Sequence, residues 1–194
     1  GYALVEAVIG MLALAFHETF VAATDFTYAA ILPALGTEWL ALSAKVAVSC
    51  LLILPPSVLL GMTFPLMSAG LVRAVPSSPG QSIAMLYFTN SLGAVAGVLA
   101  SGFVLIEWVG LPGTLRTAGA LNLTLAAAVW LLARSEHIAA RLAPLAPGAE
   151  RGGDSAQLLL AVAFLTGLAS FIYEISWIRM LSLVLGSSTH SFEL

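Results

Sequence analysis

The amino-acid sequence predicts an all-α membrane protein, a polytopic helical bundle of about five crossings, and three observations lead to it. The chain is 60% apolar and only 9% charged, with a mean hydropathy of +1.01, whereas an ordinary soluble domain carries about 25% charged residues. Apolar stretches recur at the roughly 20-residue length that a helix needs to cross a hydrocarbon layer about 30 Å thick. When those stretches are taken to alternate in direction, the basic residues sort to one side.

The first stretch, residues 1–16, is apolar except for Glu6. Between His17 and Trp39 the pattern is broken by His17, Glu18, Asp25 and Glu38 and punctuated by Pro33 and Gly36, which predicts an aqueous or interfacial loop. Residues 40–72 hold a single charge, Lys45, but at about 1.5 Å per residue they are too long for one straight crossing. Pro55, Pro56 and Pro65 each remove a backbone donor, so a kinked or interrupted helix is expected here.

Arg73 and the run from Pro76 to Gly80 mark the next turn, after which residues 82–106 supply a span without a charge. Glu107, Gly110, Pro112 and Gly113 then predict a tight turn and an antiparallel return through residues 117–133, bracketed by Arg116 and Arg134. Residues 135–155 collect Glu136, Arg141, Glu150, Arg151 and Asp154 with Pro144 and Pro147, which is linker chemistry; Gly152 and Gly153 belong to it. The last segment, 156–194, is apolar to about Leu185 and interrupted only by Glu174 and Arg179.

Loops kept in the cytoplasm carry the excess of Lys and Arg. Alternation puts Arg73, Arg134, Arg141 and Arg151 on one side, with Glu18, Asp25 and Glu38 opposite, so the 135–155 linker is expected to be cytoplasmic. The net charge of -3 offers no basic footprint for nucleic acid. Cys50 has no second cysteine to pair with, and three scattered histidines lack ligand spacing, so no disulfide, metal site or cofactor is expected. Nothing at the start resembles a signal peptide, and Gly1 opens within an apolar pattern, as expected of a piece of a longer chain.

An ionisable side chain in hydrocarbon costs at least about 2.5 kcal/mol, so acids inside spans are expected to face a bundle interior or cavity. In the last span Thr166, Ser170, Glu174 and Trp177, with Tyr173 beside them, are spaced to share a helical face. Glu174 is therefore the leading candidate to bind a cation or relay a proton, and a structural ion pair between helices is the alternative. Arg179 is a candidate for such a pair with another helix. The same spacing puts Tyr2, Glu6, Gly10, Ala13 and His17 together, so Glu6 is expected to look inward, while Lys45 is expected to snorkel. Asn90, Gly93, Gly97 and Ser101 recur at helical spacing; the small residues predict close helix packing, and Asn90 and Asn122 could hydrogen-bond across helices or line a polar cavity.

Three stretches, residues 54–67 (LPPSVLLGMTFPLM), 86–110 (LYFTNSLGAVAGVLASGFVLIEWVG) and 167–188 (GLASFIYEISWIRMLSLVLGSS), together with the Glu6 helix (ALVEAVIG), carry a resemblance to a known family. In combination they resemble the membrane region of bacterial proteins that join a major-facilitator-like bundle to a spermidine-synthase-like domain. The resemblance implies that residues 1–134 correspond to the third to sixth helices of one membrane half, 135–155 to the central cytoplasmic linker, and 156–194 to the seventh helix, in a bacterial inner membrane. It implies a lipid bilayer and the remainder of the bundle as partners, and an aminopropyltransferase domain outside this stretch, so no catalytic residue is assigned. The expected function is anchoring of that domain and transport of a polyamine-like cation through a cavity involving Glu6, Glu174, Tyr173, Trp177 and Asn90. A major-facilitator carrier of another solute and a non-transporting scaffold are the rival expectations.

Overall fold

The computed structural model describes residues 1–74, 79–134 and 153–185, all of them helical apart from Gly1 and the short break at 35–37. The helices are α1 (Tyr2–Phe26), α2 (Leu32–Ala34), α3 (Glu38–Ala74), α4 (Pro79–Ala100), α5 (Ile106–Arg134) and α6 (Gly153–Leu185), with π-helical turns at Thr27–Ile31 and Ser101–Leu105. Four continuous helical stretches are long and apolar enough to cross a membrane: Tyr2–Ala34, Glu38–Val72, Pro79–Arg134 and Gln157–Leu183.

The stretch expected as a loop after His17 is helical as far as Ala34. Its charges interrupt hydropathy, but Phe20 to Ala23 are compatible with a helix and no proline occurs before Pro33. Pro33 offers no N–H to the carbonyl four residues earlier, and the π turn lies at that point. The chain leaves the helix only at Leu35, which is extended (φ -93°, ψ 119°). Of the kink or interruption expected at the prolines, the interruption is not found: α3 is one helix of 37 residues with Pro55, Pro56 and Pro65 inside it.

The third stretch turns back on itself at Gly110, whose φ of 66° and ψ of 180° form a conformation that a side chain would disfavour. The direction of each helix follows from its contacts. Arg116 meets Glu18 and Gly119 meets Gly10, so α5 runs against α1. Ile9 pairs with Tyr173 and Phe16 with Trp177, so α6 runs with α1. The backbone of α6 at Phe164 and Leu168 lies against Gly93 and Gly97, so α4 runs with α6. Lys45 over the Tyr28 ring, just past the end of α1, and Tyr2 packed on the cluster that holds Met67 place α3 antiparallel to α1. Of the turn expected at Pro76 to Gly80, Pro79 and Gly80 are helical and the rest lies outside the described residues, as do 135–152 and 186–194.

Two apolar clusters build the core. One gathers Ile9, Phe16, Leu115, Ile172, Tyr173 and Trp177. The other gathers Met67, Leu71, Leu86, Leu125, Val162 and Ala163. Burying each such side chain contributes about 1.5–3 kcal/mol where water is the alternative; within lipid, van der Waals fit takes over that role. The fit is closest between α4 and α6. A Cβ at Gly93 or Gly97 would strike the carbonyl oxygen of Phe164 or Leu168, and one at Gly167 would strike that of Asn90.

Candidate functional site

A layer of buried polar side chains separates the two clusters. On α1 it falls between Tyr2 and Ile9, on α3 between Leu60 and Met67, on α5 between Ala118 and Leu125, and on α6 between Val162 and Ile172. Its members are Glu6, Thr63, Asn122 and Thr166, with relative exposures of 0%, 3%, 1% and 4%. Helical periodicity places each on the inward face of its own helix, and the parallel or antiparallel packing of the four helices brings them to one depth.

Glu6 is central to this layer. The Thr166 hydroxyl lies 2.9 Å from the Val162 carbonyl oxygen and 3.4 Å from Glu6 Oε1, and can donate to either. The Tyr2 hydroxyl is 2.5 Å from Thr166 Oγ1. Tyr173, stacked at 5.6 Å on Trp177, donates from its hydroxyl to the Ile9 carbonyl oxygen at 3.4 Å. Three further buried atoms, Glu6 Oε2, Asn122 Oδ1 and Trp177 Nε1, have no hydrogen-bond partner. Among the described residues the ion pair formed is Arg116–Glu18, at 2.7 Å and largely exposed, so Glu6 has no cationic partner there.

A carboxyl group in this setting can act in two ways. It can hold a proton and stay neutral, or it can shed the proton and take a cation whose charge replaces the missing partner. A permanently ionised and unpaired carboxylate is excluded by its desolvation cost, which is several kcal/mol even after relaxation.

Glu174 differs from the expectation: it is exposed, while Tyr173 and Trp177 beside it are buried. Steps of four residues overshoot a full helical turn by about 40°, so the two steps from Thr166 to Glu174 rotate it about 80° away. The buried stripe runs instead through Thr166, Ala169, Tyr173, Ser176, Trp177 and Met180. Arg179 is exposed too and forms no ion pair with any described residue. Asn90 is half-buried, and its backbone carbonyl lies against Gly167. Ser101 is fully buried, its hydroxyl donating to the Val98 carbonyl at 3.1 Å. Among the described residues no group of three His, Cys, Asp or Glu could hold a metal ion.

The sequence reading missed Thr63 and the coupling of Tyr2 to Thr166. The signal for Thr63 was present in the spacing, since it interrupts an apolar helix face in the same way as Glu6. Comparison of the chain with protein-family models, with curated proteins and with solved structures finds no match.

Proposed function

We propose that this chain is membrane-embedded, crosses the bilayer five times because α4 and α5 form a hairpin at Gly110, and uses Glu6 as a cation-binding or proton-binding centre. The observation that carries this reading is a fully buried carboxyl group with one oxygen unpartnered and no cationic neighbour among the described residues. Intramembrane acids face a bundle interior or a water-filled cavity and mark ion and proton pathways.

In the wider reading, the chain belongs to the membrane portion of a spermidine-synthase-like protein in a bacterial inner membrane, anchoring an aminopropyltransferase domain and moving a cation. The end bearing Arg134 and the 135–155 linker is cytoplasmic in this reading. A major-facilitator-type carrier of another solute is the alternative. The exposure of Glu174 argues against a cavity with two carboxylates and favours a site of single charge.

Dicyclohexylcarbodiimide, which attacks protonated carboxyl groups in apolar surroundings, tests the centre. Labelling of the full polypeptide at Glu6, suppressed at alkaline pH and absent in Glu6→Gln, is expected. An unlabelled Glu6 in folded protein refutes the reading. A second reading, a non-transporting scaffold, is favoured by the glycine-mediated contact of α4 with α6; it requires Glu6→Gln to leave flux of labelled spermidine and other cations unchanged in vesicles.

A further inference from the structure

A pocket of about 150 Å³ opens between α1, α3, α5 and α6, lined by Tyr2, Met67, Gly70, Val129, Ala133 and Val162 among others. Apart from the Tyr2 hydroxyl its side chains are apolar, and its volume matches cavities that hold a benzene molecule. Two of its lining residues also belong to the hydrogen-bonded group at Glu6. Tyr2 meets Thr166 Oγ1, and the Val162 carbonyl lies within reach of the same hydroxyl, which in turn faces Glu6 Oε1. The Tyr2–Thr166 pair therefore stands between an apolar pocket and a buried carboxyl group that has an oxygen to spare.

We infer that the pocket and Glu6 form one site for a lipophilic monoammonium compound, with its apolar body in the pocket and its ammonium on the Glu6 carboxylate once the Tyr2 and Thr166 hydroxyls part. This rests on the reading of Glu6 as a cation-binding centre. The ligand class follows from counting charges and polar groups. One enclosed carboxylate neutralises one ammonium, and a second ammonium left among Met67, Val129 and Val162 would have no counter-ion among the described lining residues. A neutral apolar ligand of the same size would fill the pocket but leave Glu6 Oε2 unpartnered. The ammonium ion supplies the donors that this oxygen lacks, in a charge-assisted hydrogen bond.

The test compares n-hexylammonium, n-hexanol and spermidine by calorimetric titration of the full polypeptide in lipid nanodiscs, with empty nanodiscs as the blank. At neutral pH hexylammonium is expected to bind at least about tenfold more tightly than hexanol, the ratio that one charge-assisted hydrogen bond supplies. Glu6→Gln is expected to bring that ratio to about one with hexanol binding retained, which also shows that the variant folds. Ala133→Phe, at an exposed position on the pocket rim, is expected to weaken both ligands while Glu6 keeps its carbodiimide reactivity. Equal affinities for the amine and the alcohol in the unaltered protein overturn the inference, as does displacement of hexylammonium by spermidine at equal concentration. Both results leave Glu6 labelling intact, so they are distinct from failure of the cation centre itself.

Discussion

Replacing Gly93 with alanine should force α4 and α6 apart, and the size of the effect can be ordered from the surroundings of each glycine. A Cβ at Gly93 would sit inside the contact distance of the Phe164 carbonyl, which is backbone and cannot rotate away. At Gly10 the corresponding atoms are the Leu123 side chain at 2.7 Å and the Gly119 carbonyl at 2.9 Å, so part of the overlap can be relieved by a rotamer change. At Gly61 nothing lies within 4 Å. Overpacking a well-fitted interface costs about 1–3 kcal/mol, so Gly93→Ala belongs at the upper end, at about 3 kcal/mol, and Gly10→Ala near about 1 kcal/mol. Gly61→Ala should be neutral or stabilising by up to about 1 kcal/mol, because alanine loses less backbone entropy in a helix. Unfolding in mixed micelles, with the mole fraction of denaturing detergent as the variable, measures all three. If Gly93→Ala behaves like Gly61→Ala, the close approach of α4 to α6 is wrong, and with it the parallel arrangement of those two helices.

Thr166→Val should destabilise by about 1–3 kcal/mol, since it strips the Tyr2 hydroxyl and Glu6 Oε1 of a partner at nearly constant volume; the same detergent titration reads it, and no change would deny the polar layer a structural role. Gly110→Ala should cost at least about 1 kcal/mol because the residue sits at φ 66°. Gly102→Ala, with open space around it, is the control for that measurement. The exposed Arg116–Glu18 pair should show little coupling in a double-mutant cycle, and none in high salt. A coupling that persists in high salt would mean that the pair is shielded from solvent.

The helical, apolar character of the chain was legible because crossing a hydrocarbon layer demands long runs of nonpolar residues, and such runs cannot be hidden in a sequence. The reversal near Gly110 was legible as well, since glycine and proline punctuate there. Helix ends were not. Polar side chains at His17, Glu18 and Asp25 lower hydropathy but none breaks a helix as proline does, so α1 passes through them. Glu6 could be assigned inward from its neighbours on one short face, whereas Glu174 falls off the buried stripe because rotation accumulates over successive steps of four. The pairing of Tyr2 with Thr166 was not recoverable at all, since it joins residues 164 apart and depends on how α1 and α6 pack.

That separation sets an order of events in biogenesis. Tyr2 and Glu6 are made before Thr166, whose hydroxyl follows some 160 residues later. At about 5–20 residues per second, the wait is roughly 8–30 seconds. During that interval the acid of α1 lacks the Thr166 hydroxyl, and α6 is the element that brings it.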